Sequence, residues 1–235
     1  MGKQMKLFWG SGSGPCVRAM IALFEKGFTE SDVDMKLISF SEKQHKGDDV
    51  VALNPRGQVP TFKDGDTIVN ESMAICLYLD KAYPNQGTKL LPDDPAQFAK
   101  VIQTAIEANE NLQMKLLLKC IYFVWMTPVD KRNGDEYEKK LKEAHDEART
   151  EMGRWEKKLK ESGGEYICGK DFTLADIVLF SYVVSAKRFG STLDNYPSLK
   201  VYCEKLSQRK SVQAAWPPHW KESELEPEKQ LLKTI

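Results

Sequence analysis

Two rhythms of apolar residues divide the chain. Short alternating runs and helical stripes take turns up to Tyr83; beyond it, helical spacing alone continues. Lys6-Leu7-Phe8-Trp9 predicts a strand. From Cys16 onward, Val17, Met20, Ile21 and Phe24 fall on one helical face, with Pro15 in the first turn and Gly27 at the stop. Val33, Met35 and Leu37 alternate as a second strand, and His45 to Leu53 reads as loop and short helix. Val59 to Phe62 is a third strand-length run, Asp64-Gly65 a hairpin turn, and Thr67-Ile68-Val69 the return strand. A helix over Met73 to Tyr83 follows. The order is βαβ and then α-ββα. A crossover helix implies a parallel first pair, and the tight turn an antiparallel second pair.

Pro84, Gly87, Pro92 and Pro95 punctuate the next stretch, which predicts a first domain over 1–84 and a linker over 85–95. An all-helical domain is expected over 96–235. Ala96 to Trp125 carries Phe98, Ile102, Ile106, Leu112 and Leu116 at helical spacing, and Thr127-Pro128 ends it. Asp135 to Ser162 is a charged helix with a stripe at Leu141, Ala144, Ala148, Trp155 and Leu159. Thr173 and Asp176 have capping-box spacing just before the apolar run Ile177 to Val184, so both are assigned to stability. Pro197 to Leu206 is a further helix, Trp216 to Trp220 packs the tail, and the charged tail from Glu222 is expected to fray.

Composition narrows the classes. The 235 residues are 41% hydrophobic and 29% charged, with 34 basic and 34 acidic side chains. A zero net charge argues against a nucleic acid or an acidic membrane surface as main partner. No apolar run approaches the roughly 18 residues of a membrane span. The start lacks a signal-peptide core, and Lys6 stands where a myristoylation site needs Ser or Thr. Cys16, Cys76, Cys120, Cys168 and Cys203 are scattered without metal-ligand spacing. They read as reduced thiols of a cytoplasmic protein that holds no metal.

Candidate chemistry gathers at two places. Ser11 to Gly14 is Gly-rich but lacks the length and the Gly-Lys-Ser/Thr ending of a phosphate loop. Ser13-Gly14-Pro15-Cys16 resembles the Cys-Gly-Pro-Cys of thioredoxins with serine in place of the first cysteine. That position is the mouth of a helix N-terminus, where free N–H groups and the helix dipole favour an anion. A serine there supplies no thiolate of its own, but its hydroxyl can donate to another molecule's. It also suits an ordinary helix cap. The second place is Pro60. It cannot donate to a sheet ladder, and a cis Val59-Pro60 bond would leave the backbone of Val59 open to a ligand.

The pieces Ser-x-Pro-Cys-x-Arg over Ser13 to Arg18, His45, Asn54-Pro55-Arg56-Gly57-Gln58-Val59-Pro60 and Glu71-Ser72 resemble the serine-type cytosolic glutathione transferases of the theta, delta and zeta kind. The fuller string Trp9-Gly10-Ser11-Gly12-Ser13, with the late Trp216-Pro217-Pro218-His219-Trp220, is most similar to the rho class. The resemblance covers the whole chain. It implies a thioredoxin-like domain followed by an all-helical one, and conjugation of glutathione to electrophilic, often xenobiotic, small molecules. It implies glutathione as co-substrate, no permanently bound cofactor, and a homodimer. It implies that Ser13, with Ser11 as runner-up, activates the thiol. Val59, beside a cis Pro60, pairs with the cysteinyl backbone, Glu71 and Ser72 hold the γ-glutamyl end, and His45 and Gln58 are polar contacts. Lys115, Lys119, Tyr122 and Phe123 are candidates for the electrophile site, expected in a cleft between the domains, although their spacing is also that of plain core. The alternatives are a non-catalytic binding protein for glutathione or apolar ligands with the same fold, and a glutathione-dependent thiol oxidoreductase using Cys16.

Overall fold

The computed structural model describes residues 4–163, 165–222, 231–233 and 235. They form two compact units: Met1–Asp93 with Gln208–Ser223, and Asp94–Ser207 with Glu224–Ile235.

In the first unit, β1 (Met5–Trp9), α1 (Gly14–Glu25) and β2 (Val33–Leu37) form the crossover. A short helix α2 (Asp48–Val51) precedes the hairpin β3 (Thr61–Asp64) and β4 (Thr67–Asn70), and α3 (Ser72–Ala82) follows. The sheet runs β2-β1-β3-β4, with β1 parallel to β2 and antiparallel to β3. This is the expected thioredoxin-like arrangement. Leu7 and Phe62 pair across β1 and β3, both fully buried, and Phe62 meets Tyr78 of α3 at 6.1 Å between ring centroids. Phe8 points to the opposite face, where Ile38, Val50, Leu53 and Val59 cover it.

Two strand expectations shift. The third strand begins at Thr61 rather than Val59, because Pro60 has no N–H for the ladder. Leu37 is 51% exposed, since β2 is an edge strand and only Val33 on it is buried.

The segment expected as a linker is fastened to the first unit. Lys26, fully buried, donates to Asp80 at 3.1 Å and to the Thr88 carbonyl at 3.2 Å. Asp80 in turn accepts from the backbone N–H groups of Leu90 and Leu91. Gly87 lies at φ +61°, and a Cβ there would sit 2.2 Å from the Glu25 carbonyl, so only glycine lets the chain pass.

The division at 96–235 also needs correction, because Gln208–Ser223 packs with the first unit. The reason is a buried carboxylate at the last turn of α1. Arg209 donates twice to Glu25, at 2.9 and 2.8 Å, and the Ser211 hydroxyl donates to the same group. The helix α9 (Lys210–Ala214) then packs on α1, and α10 (Pro218–Glu222) follows after the break at Pro217-Pro218.

In the second unit, α4 (Pro95–Leu112) starts at Asp94, whose carboxylate caps Gln97 N–H at 2.9 Å. The long helix expected to Trp125 is not uniform. Gln113–Tyr122 is π-helical, and α5 (Phe123–Met126) returns to α-geometry. Then come α6 (Asp135–Ser162), α7 (Leu174–Arg188) and α8 (Pro197–Ser207). Every residue of α7 from Leu174 to Ala186 is buried, so this helix is the axis of the unit. Its capping box is complete. The Asp176 carboxylate, wholly shielded, accepts from Ile167 N, Thr173 N, Thr173 Oγ1 and Tyr202 OH, all at 2.9–3.0 Å. Much of the tail expected to fray, 223–230, lies outside the described residues. Past it, Leu232 and Ile235 are buried, held by Phe189 O and Ser191 Oγ.

Replacing Asp176 by Ala strands four donors in a dry core and should cost about 3 kcal/mol, read as a lowered denaturant midpoint. Thr173→Ala, which removes one hydroxyl of that set, should cost about 1 kcal/mol. Burial pushes the Glu25 carboxyl up, but Arg209 and the hydroxyls of Ser211 and Thr88 outweigh it and hold it below the usual range. Stability from this pair is therefore present above the ordinary glutamate pKa and lost as pH falls through the depressed value. Acid titration of tryptophan emission from Trp216 and Trp220 should show the segment loosening in that range, and Glu25→Gln should abolish the acid step. An unchanged titration in the variant would remove Glu25 as its cause.

Candidate functional site

The register of the sheet assembles the site. Phe8 lies opposite Thr61, and Thr61 lies opposite Asn70. The chain therefore leaves β1 at Gly10, enters β3 through Val59-Pro60 and leaves β4 into Glu71 and Ser72 at the same end of the sheet. β2 ends there as well, where Ile38 N–H donates to Trp9 O at 2.8 Å. The loop Gly10 to Gly14, the Val59-Pro60 pair and the start of α3 thus share one edge.

Ser13 is the N-cap of α1, with extended backbone at φ −75° and ψ 113°. Its Oγ accepts from Cys16 N–H at 3.4 Å. The cap uses an oxygen lone pair and leaves the hydroxyl proton able to donate, so capping and thiol activation are compatible in one residue. Ser11, the runner-up, lies 2.6 Å from Nδ1 of His219. Cys16 is fully buried, its sulfur accepting from Gly10 N–H at 3.3 Å. Burial pushes its thiol up to about 11, against the opposing effect of the Ser13 and Gly10 hydrogen bonds. A thiol this protonated and shielded does not suit the oxidoreductase alternative. The other cysteines are buried and unpaired with one another as well.

The Val59-Pro60 bond is cis. Asn54, itself buried, organises the turn before it. Its Nδ2 donates to Gln58 O at 3.0 Å and to Thr61 Oγ1 at 3.3 Å, and Thr61 Oγ1 donates to Gln58 O at 2.8 Å. These bonds use the carbonyl of Gln58, whose residue is otherwise exposed. Lys46 Nζ holds the same loop through Arg56 O at 2.8 Å. His45 sits in the one-turn helix Gln44–Lys46, its ring 5.5 Å from that of Phe40. Its Nδ1 is buried and makes no hydrogen bond among the described residues.

Glu71 has φ +71° and ψ 121°, an unfavourable conformation for a residue with a side chain. It turns the chain sharply from β4 into α3 and leaves its own side chain exposed. Ser72 is the first residue of α3 and is buried, with Oγ 3.5 Å from Nη1 of Arg18. Arg18 is 2% exposed. It ties α1 to the start of α3, which puts a buried cation beside the anion-favouring end of that helix. Among the described residues, no group of three or more His, Cys, Asp or Glu side chains is arranged to hold a metal. Nor is any described helix long and apolar enough to cross a membrane.

The second-unit candidates separate. Lys119, Tyr122 and Phe123 line a cavity of about 540 Å³ with Leu118, Met126 and Ala144. Lys119 reaches both carboxylate oxygens of Glu147, at 2.7 and 2.6 Å. Lys115 does not line that cavity; it donates to Asn111 and, at 2.7 Å, to Glu151, whose side chain is buried. The π-helical turn is wider than an α-turn, so residues spaced for one α-helical face are rotated apart.

Known proteins with this arrangement are numerous. The family model described as glutathione S-transferase, N-terminal domain, matches residues 3–81, and that of the glutathione S-transferase C-terminal domain matches 122–216. Glutathione S-transferase A of Pleuronectes platessa is 40% identical over 95% of this chain and 96% of its own. A crystal structure of a glutathione S-transferase from the Antarctic clam Laternula elliptica superposes with a TM-score of 0.85 at 40% identity, over 99% of this chain and 100% of the other. A glutathione transferase homolog from Sulfitobacter, solved with bound glutathione, shares the fold at a TM-score of 0.73 and 21% identity, over 95% of this chain and 100% of the other. With both domains matched and a relative of that identity aligned over nearly its full length, the chain belongs to the glutathione S-transferase family.

Proposed function

We propose a residue-level assignment for the transferase activity that the family carries. The protein is a glutathione S-transferase: glutathione is its co-substrate, and its thiolate is transferred to an electrophilic small molecule in a detoxifying conjugation. In our reading, the γ-glutamyl group lies at the start of α3, held by Ser72 and the Glu71 segment. The cysteinyl backbone pairs with the peptide groups of Val59 beside cis Pro60. The glycyl carboxylate faces His45, a half-buried imidazole in the one-turn helix after β2. Gln58 is an exposed polar contact at the same edge.

The sulfur then falls at the mouth of α1. Ser13 O–H donates to it, and the helix end favours its negative charge. Each unit by which the thiol pKa falls from about 8.5 corresponds to about 1.4 kcal/mol favouring the thiolate. The thiolate forms a carbon–sulfur bond with the electrophile, and either a leaving group departs or an activated alkene takes up the pair. Alignment and charge stabilisation are the protein's contribution. The observation that supports this reading is the sheet register, which brings the chain leaving β1, the chain entering β3 and the chain leaving β4 to one end of the sheet.

The serine-type assignment rests on Ser13 as helix cap with no tyrosine in β1, and the rho-like one on the Trp9–Ser13 and Trp216–Trp220 strings. We also assign the protein to the cytoplasm and to a homodimer, as the family resemblance implies. Lys119, Tyr122 and Phe123 remain our candidates on the electrophile side, supported by the apolar cavity they share with Leu118 and Met126.

In Ser13→Ala the thiol pKa of bound glutathione should rise back toward the free value of about 8.5, with kcat at neutral pH falling roughly tenfold to a hundredfold. The Michaelis constant for glutathione should move little, because Ser13 addresses the sulfur alone. Thiolate absorbance of the binary complex measures the first quantity directly. A native-like pKa in the variant would rule Ser13 out.

A further inference from the structure

His219 has no part in the assignment above, yet its imidazole stands against the loop that carries Ser13. Three features place it there. Its Nδ1 is 2.6 Å from Ser11 Oγ. Gly12, at φ +79°, presents bare backbone to the ring: a Cβ on it would lie 2.9 Å from Cε1 and 3.2 Å from Nε2 of His219. The same Cβ would be 3.4 Å from Nε1 of Trp220, so the second ring closes over the loop too. Trp216 and Trp220 pack edge to face at 5.8 Å, and Trp220 N–H bonds Pro217 O at 3.0 Å, which stiffens the turn presenting the imidazole.

The segment bearing these rings is held at its other end by Arg209 and Ser211 on Glu25, the last residue of α1. It therefore follows α1 from its final turn to the loop preceding its cap. Contact at both ends makes it a strap along the helix whose N-terminus holds the thiol.

We propose that His219 is a positioning residue of the thiol site. It binds Ser11 and fixes the loop Gly10 to Gly14, so that Ser13, not Ser11, presents its hydroxyl to the sulfur. With Nδ1 unprotonated the ring accepts from Ser11 O–H; with Nδ1 protonated it donates to Ser11 Oγ. In both cases the pair takes one position of the serine and limits the loop's freedom. Ser13 is anchored separately, by its own N–H to Gly10 O at 3.2 Å and by Cys16 N–H. The inference rests on the assignment of the thiol to the start of α1.

The test uses His219→Ala, Ser11→Ala, the double variant and His219→Asn, whose side-chain amide reaches about as far as Nδ1. Hydrogen exchange at the amides of Gly12 and Ser13, without glutathione, reads the loop directly. Exchange should quicken at least several-fold in both single alanine variants, no further in the double variant, and return close to wild type in His219→Asn. With glutathione, the bound-thiol pKa should rise in the alanine variants, and kcat should fall about fivefold to tenfold, more than KM changes. Unchanged exchange in His219→Ala overturns the proposal. So does a double variant in which the two effects multiply, because the residues would then act independently. A wild-type protein that binds glutathione with its thiol pKa unshifted defeats the assignment of Ser13, while the exchange arm still decides whether His219 holds the loop.

Discussion

Phe62 lies between Leu7 on β1 and Val69 on β4 and is sealed from water. Its burial locks the pairing of the hairpin against β1, because side chains alternate faces along a strand. A slip of one residue would drive Lys63 into that core and turn Phe62 out. The layout of the proposed glutathione edge follows from this pairing. Thr61 is held opposite Phe8 and Asn70, so the chain before β3 and the chain after β4 must emerge side by side, next to the loop that leaves β1. The site is a consequence of sheet register before it is a matter of any one polar side chain.

Helix starts supply the next layer. α1 and α3 both begin at this edge with a serine at or next to the cap position, and a helix start leaves N–H groups without intrahelical partners. Ser13 satisfies one of them and keeps a proton to give away. Ser72 does something different. It lies inside the helix rather than before it, because the left-handed turn at Glu71 takes the cap position without capping. Arg18, buried between the two helices, links them through Ser72 Oγ.

Local chemistry was legible in the sequence, and so was most of the fold. Asp64-Gly65 marks a hairpin because a tight turn needs φ > 0, and Gly65 has φ +55°. Thr173 and Asp176 mark a helix start because their spacing matches the reach of a side chain to a backbone N–H. Pro60 marks an edge because it lacks a donor, although that same lack moves the strand start to Thr61. What the sequence hides is contact at long separation and departure from regular helix. Glu25 and Arg209 are 184 positions apart, and Ser11 and His219 are 208 apart. Neither pair has a periodic signature. The π-helical stretch is invisible for another reason: its residues have the composition and spacing of an α-helix, and its closest packing is against α6, far along the chain.

The late segment changes how the first domain should be understood. A thioredoxin-like sheet with α1 and α3 could close its core with residues up to Asp93, yet α1 keeps a carboxylate, Glu25, that no cation among the described residues of that stretch is shown to neutralise. Arg209 does so, and the ion pair is worth having only because Ser211 and Thr88 satisfy the remaining lone pairs. Once that end is fixed, the rigid Pro217-Pro218 break limits where the chain can go, and Gly12 offers the flat backbone against which an imidazole can lie. Gly12 therefore meets two demands: a positive φ in the loop and space for the ring. An alanine there would meet neither, so the identity of the loop residue is set by a side chain from the far end of the sequence. The start of α1 is built from both ends of the protein.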